Sequence, residues 1–140
     1  MNLLSQTKLP AILENLNLFI EPVSHCAQAQ GFGPERVSEI ELALEEALVN
    51  IVSYSYPKKN GDVEVTCSID YENRFVIDIM NWGVPFNPLS TDEPDLISDI
   101  PERKVGGLGI FMIRELMDDV KYRFKGDKNM LTLVVNKDPG

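Results

Sequence analysis

The residues of this 140-residue chain that are best suited to chemistry lie in three short segments. In the first, Glu46, Asn50 and Tyr54 stand four residues apart and would share one side of a helix. A carboxylate at the border of a core can act as a base, and an amide oxygen can bind a hard cation. The same spacing is typical of a solvated helix flank, so these residues alone leave both interpretations open.

The second segment, 80–88, follows a stretch with the alternating pattern of a strand. Asn81 has the parity of the apolar residues Phe75, Ile77 and Ile79, which predicts that its amide points into the covered face of a sheet. A buried amide needs hydrogen-bond partners. A ligand could provide them, or the side chain could cap the strand end by bonding to local backbone.

The third segment is rich in glycine and precedes a helical pattern. Gly106, Gly107 and Gly109 would leave backbone N–H groups open to an anion at a helix start, and Arg103 and Lys104 add positive charge just upstream. The segment does not end in Gly-Lys-Ser/Thr, so it is not a Walker A loop. It therefore predicts a phosphate site of another type, unless the glycines only mark a loop.

Hydrophobic periodicity predicts the elements that position these segments. Helices are predicted over 11–30, 35–55 and 107–117, and strands over 2–8, 63–69, 75–79, 120–124 and 131–135. Pro22 should kink or split the first helix, and residues 82–105 form a long loop. The fold class expected is α+β, a two-layer sandwich in which a mixed, mostly antiparallel sheet has helices on one face. No linker divides the chain, so one domain over residues 1–140 is expected.

Composition narrows the function. The formal net charge of −9 disfavours direct binding to nucleic acid. No apolar stretch reaches the ~18 residues that a membrane span needs, and no leader pattern is evident, so we expect a cytoplasmic protein without membrane contact. Cys26 and Cys67 lack metal or redox spacing and are interpreted as small core residues.

In this order the three segments resemble those of the GHKL ATPase superfamily, and the resemblance extends from about Leu13 to Val135. The stretches IELALEEALVNIVSYSYP, WGVPFNP and GGLGIFMIRELMDDVKYRF are similar to those of its anti-sigma-factor serine kinase branch. The resemblance implies the histidine-kinase-like (Bergerat) fold with ATP and Mg²⁺ as cofactors. It also implies a protein-serine kinase that phosphorylates a STAS-type antagonist and sequesters a sigma factor. The N-terminal strand and first helix are where relatives pair, which leaves a homodimer open for this chain.

The resemblance also assigns roles to residues. Glu46 would be the general base and Asn50 the Mg²⁺ ligand, while Gly83 would let the chain pass close to the adenine. The phosphates would lie against Gly106, Gly107 and Gly109, with Arg103 or Lys104 near the γ-phosphate and Thr132 near the adenine.

Two positions depart from the family's pattern. Asn81 stands where an aspartate is usual, so the site loses a charge and one acceptor. Its amide oxygen would still accept from the adenine amino group and select against a 6-oxo base. Tyr54 stands where a basic residue is common. These departures favour the alternative function, a non-catalytic GHKL-fold binding module with weak or lost nucleotide affinity.

Overall fold

A computed structural model describes residues 2–56, 61–85 and 107–137 of the chain. In these ranges the helical segments are a 3₁₀ turn at Leu13–Asn15, α1 at Leu16–Ala29, α2 at Pro34–Tyr54 and α3 at Gly107–Leu116. The strands are β1 at Asn2–Pro10, β2 at Asp62–Ile69, β3 at Phe75–Asn81, β4 at Asp119–Lys125 and β5 at Lys128–Val135. The predicted strand at the N-terminus is therefore present, and most of the predicted loop over 82–105 lies outside the described residues.

The five strands form one sheet in the order β1-β2-β3-β5-β4. Every described pairing is antiparallel, so the predicted antiparallel sheet is confirmed and its expected parallel component is not found among these strands. The register aligns Val63, Asn81 and Asn129 across the three central strands at one end of the sheet. Because side chains alternate between faces, these three residues share the face of Ile79 and Leu131.

The core lies between that face and the helices. Alternate residues of the central strands pack against the apolar stripe of α2, whose Ile40, Leu44 and Leu48 are almost completely buried. This one-sided packing follows from the period-two strands and confirms the predicted α+β sandwich. No helix among those described is long and apolar enough to cross a membrane.

Proline acts differently at its two helical positions. Pro34 opens α2, where the missing N–H would have had no partner inside the helix. Pro22 lies inside α1, yet α1 is continuous from Leu16 to Ala29, so of the two predicted outcomes the split is excluded and the kink stays a prediction. Val23 and Ala27 are buried in the core, and their packing holds the helix together across the lost hydrogen bond.

Candidate functional site

The C-terminal half of α2 carries the predicted polar line along the border of the core. Asn50 is 4% exposed, and its Nδ2 atom has no hydrogen-bond partner among the residues described. A buried N–H donor without a partner is costly in a finished core, so this atom needs an acceptor that the described residues do not provide. One turn earlier, Glu46 is half-buried. Burial, and secondly the charge of Glu45, raise the pKa of the Glu46 carboxyl above its ordinary value.

The end of α2 is tied to the end of β3. The backbone N–H of Val84 donates to the carbonyl of Ser55 at 2.9 Å, and the N–H of Trp82 donates to the Tyr56 hydroxyl at 2.8 Å. That hydroxyl in turn donates to the carbonyl of Asp62 at 2.6 Å. These bonds hold the segment after β3 against the last turn of α2, close along the chain to Asn50 and Tyr54.

Gly83 lies where these two segments meet. A Cβ atom at this position would be 2.0 Å from the Ser55 carbonyl oxygen and 2.6 Å from its carbon. Backbone cannot retreat as a flexible side chain does, so only glycine fits. The structure thus provides a packing reason for Gly83, and its predicted approach to adenine stays a prediction.

Asn81 is 4% exposed at the end of β3, on the face predicted from its parity. Its Oδ1 atom accepts from the Gly83 N–H at 2.9 Å and from Nδ2 of Asn129 at 3.1 Å. Asn129 Nδ2 also lies 3.3 Å from the Gly83 carbonyl oxygen and 3.1 Å from that of Val84, and Asn129 Oδ1 accepts from the Tyr122 hydroxyl. Asn81 therefore makes the local bonds of a strand cap and also belongs to a buried network.

Asn129 is the residue of this site that the sequence analysis missed. Its parity matches that of Leu131 and Leu133, so a polar residue at a core-facing position was a visible signal. The signal becomes specific only through the register, which sets Asn129 opposite Asn81.

Helix α3 begins at Gly107, as predicted, and packs against α2. Near its end, Arg36 of α2 donates to the Leu116 carbonyl at 2.5 Å and pairs with Asp118 at 2.9 Å. Ten residues of helix span about 15 Å, and the same rise separates Arg36 from Glu46 along α2. The start of α3 at Gly107 therefore lies about 15 Å along α3 from the contact between Arg36 and Leu116, and α3 packs against α2.

Thr132 and the residues of the glycine-rich segment are predicted site residues that the structure does not place beside Asn81. Thr132 lies on the opposite face of the sheet, where its hydroxyl donates to Asp78 at 2.5 Å. It is therefore not brought to the face that carries Asn81, which disfavours its predicted position near the adenine. Arg103, Lys104 and Gly106 lie outside the described residues, while Gly107 and Gly109 belong to the backbone of the first turn of α3.

The described residues near Asn50 suit a magnesium ion that the protein would hold through one ligand. Within residues 2–56, 61–85 and 107–137, no group of three or more His, Cys, Asp or Glu side chains could hold a metal. Mg²⁺ in nucleotide sites is commonly bound through one or two protein ligands together with phosphate oxygens. The amide oxygen of the buried Asn50 would be such a ligand, and phosphate oxygens would complete the coordination.

With this geometry in view, the family of the chain follows from comparison with known proteins. The histidine kinase-like ATPase domain family matches residues 9–135, and the chain belongs to this family. Among its curated relatives are serine-protein kinases named RsbW. That of Listeria monocytogenes serotype 4a is 31% identical over 93% of this chain and 86% of the relative, and that of Bacillus thuringiensis is 28% identical over 83% and 74%. The predicted serine kinase branch of the GHKL superfamily is thereby confirmed.

Solved structures agree on the fold. The SiaB–SiaC complex from Pseudomonas aeruginosa matches with a TM-score of 0.69 at 16% identity, over 96% of this chain and 90% of the other. The RsbU and RsbW domains of a Mycobacterium tuberculosis protein match with a TM-score of 0.62 at 12% identity. That match covers 94% of this chain but 32% of the longer one. The shared architecture is the histidine-kinase-like fold.

Proposed function

We propose that this chain, as a single domain over residues 1–140, is an ATP- and Mg²⁺-dependent protein-serine kinase of a bacterial partner-switching system. Its substrate is a serine of a STAS-type antagonist, and in the absence of that antagonist it sequesters a sigma factor. The observation that carries the proposal is the pairing, one turn apart on α2, of a carboxyl with a raised pKa and a buried amide whose Nδ2 atom has no partner among the residues described. The similarity to serine-protein kinases RsbW supports the same activity.

Glu46 accepts the proton of the attacking serine hydroxyl. Partial burial makes its carboxylate more basic than one in water, and a base works best when its pKa approaches the working pH. Phosphoryl transfer depends mainly on positioning and on charge neutralisation, so few protein groups are needed.

Asn50 would hold Mg²⁺ through its amide oxygen, and the backbone N–H groups at the start of α3, from Gly107 onward, would bind the phosphates. Bound Mg²⁺ supplies neutralisation of the phosphate charge during transfer. Arg103 or Lys104, which lie outside the described residues, would add positive charge near the γ-phosphate.

The partners are proteins, and the proposed location is the cytoplasm, where a sigma factor is present. A homodimer through β1 and the first helix is part of the proposal. Three exposed apolar side chains support it, with exposed fractions of 57% for Leu3, 56% for Leu13 and 51% for Leu18. Exposed apolar side chains on these elements would be covered in such an interface.

One observation favours a second function, a non-catalytic binding module of the same fold. The Asn81 oxygen, which would have to accept from the adenine amino group, already accepts two internal hydrogen bonds. If ATP is lost for this reason, the chain still presents the same protein-binding surfaces.

The test is a pair of variants on α2. Glu46→Gln should leave Mg-ATP affinity within about twofold and reduce phosphorylation of a purified STAS-domain protein from the same genome by about 10²-fold or more. Asn50→Ala should abolish the tightening of ATP by Mg²⁺, measured by calorimetry with and without the ion. Glu41→Gln, on the same helix, is the matched control and should transfer phosphate at the wild-type rate.

Wild-type transfer rates in both variants would show that the roles are assigned wrongly. No detectable binding at millimolar ATP or GTP, in a folded wild-type protein, would favour the non-catalytic module instead.

A further inference from the structure

The Asn81 side chain has a fixed orientation. An amide oxygen has two lone pairs, and both are used at Asn81 Oδ1, one by the Gly83 N–H and one by Asn129 Nδ2. A base that meets this side chain therefore meets its Nδ2 atom, which can only donate.

The orientation follows from backbone chemistry and does not depend on a choice between two equivalent amide rotamers. Turning the Asn129 amide over would place its oxygen against the carbonyl oxygens of Gly83 and Val84, where only a donor is tolerated. Asn129 Nδ2 must therefore face inward, and the Asn81 atom beside it must be an acceptor. The Gly83 N–H imposes the same requirement from the other side.

We propose that Asn129 is a specificity-determining residue that relaxes base selection at the nucleotide site. By holding the Asn81 oxygen inward, it presents an N–H donor to the base, which suits the 6-oxo group of a guanine or hypoxanthine nucleotide. GTP then binds at least as tightly as ATP, in contrast to the adenine preference expected from an acceptor at this position. The inference rests on the proposed function, since it requires that the base of a bound nucleotide lies beside Asn81.

Asn81→Asp is the decisive variant. One carboxylate oxygen can keep the bonds from Gly83 and Asn129, and the second becomes an acceptor for the adenine amino group. We expect the ratio of the GTP to the ATP dissociation constant to be about one or less in the wild-type chain. The variant should raise that ratio by tenfold or more, because ATP gains a bond while the 6-oxo group meets a negative acceptor.

Asn129→Ala tests the positioning role. Removing the Nδ2 donor leaves the Gly83 N–H as the one described group that holds the Asn81 oxygen, so the amide can turn its oxygen toward the base and the same ratio should rise toward ATP. A residue with only a structural role would weaken both nucleotides equally and leave the ratio unchanged. Asn17→Asp, at an exposed position on α1, matches the charge change of Asn81→Asp and should not move the ratio.

The measurement is calorimetric titration of each folded protein with Mg-ATP, Mg-GTP and Mg-ITP. A wild-type preference for ATP of tenfold or more overturns the inference and leaves the kinase proposal standing. A ratio that Asn81→Asp does not change also overturns it. If neither the wild-type chain nor Asn81→Asp binds any of the three nucleotides, the nucleotide site itself is refuted, and this inference falls with it.

Discussion

Replacing Gly83 by alanine separates a packing requirement from a ligand requirement. The added Cβ would lie 2.0 Å from the Ser55 carbonyl oxygen, whereas ordinary contacts begin at 3.4 Å. The segment after β3 would therefore have to move about 1.4 Å away from α2, the difference between these two distances. The obstacle is backbone at the end of a helix, so it cannot move aside without breaking α2 itself.

The displacement has a calculable cost. It lengthens the 2.9 Å bond from Val84 N–H to Ser55 beyond hydrogen-bonding distance, a loss of about 1 kcal/mol. Strain from overpacking adds about 1–3 kcal/mol. The free energy of unfolding should fall by about 2–4 kcal/mol and the melting temperature by about 10 °C. Nucleotide is not needed for this effect.

The assay is urea and thermal unfolding of the chain in the absence of nucleotide. Gly33→Ala is the matched control, because a Cβ there meets nothing within 4 Å and the backbone is extended. The small loss of helix capping and the gain from a stiffer unfolded chain nearly cancel, so its stability should change by less than about 1 kcal/mol. If Gly83→Ala unfolds like the control, the close approach to Ser55 is incorrect and the glycine is needed for ligand alone.

Two further predictions concern groups away from the site. Burial raises the pKa of the Cys67 thiol to about 12, so iodoacetamide at pH 8 should modify the half-buried Cys26 while Cys67 reacts about 10³-fold more slowly than a free thiol. Peptide mass mapping measures this, and equal rates for the two would contradict it. Burial alone would raise the pKa of Asp70, but hydrogen bonds from the backbone and guanidinium of Arg74 and from the Glu72 N–H outweigh it and lower that pKa. Asp70→Ala should therefore cost about 1–2 kcal/mol at neutral pH. This loss in the free energy of unfolding should shrink as the pH falls below ~3.9, the pKa of an aspartate in the unfolded chain. It should disappear as the pH passes below the lowered pKa of Asp70 in the folded chain. Asp70→Asn, which keeps an oxygen acceptor for the two N–H groups, should lose less, and equal losses at pH 7 and pH 2 would refute the electrostatic part.

Local pattern predicted most of the fold. The sequence places four elements within two residues of their observed bounds, from the apolar stripe of α2, the alternation in β2 and β3, and the glycines at the start of α3. Each signal depends on neighbours within about one turn or one strand, which is the range over which periodicity works. The parity of Asn81 was correct for the same reason.

What local pattern could not predict depends on contacts between distant segments. Pairing of β3 with β5 brings Asn129 to Asn81, 48 residues away in sequence, and thereby uses the oxygen that was expected to accept from adenine. The same register places Thr132 on the opposite face. A shift of one residue in strand register changes the face of the sheet on which a side chain lies and the residue that lies opposite it. A single sequence specifies that register only through the packing of the whole sheet.

The chain's residue types and their order thus determined the family, the helix that carries Glu46 and Asn50, and the glycine-rich start of α3. Only the tertiary structure decided that Gly83 is required by the Ser55 carbonyl and that the Asn81 oxygen accepts from Gly83 and Asn129. The physical reason is that a hydrogen-bonding atom has few lone pairs, and which neighbour uses them is decided when distant segments of the chain come into contact.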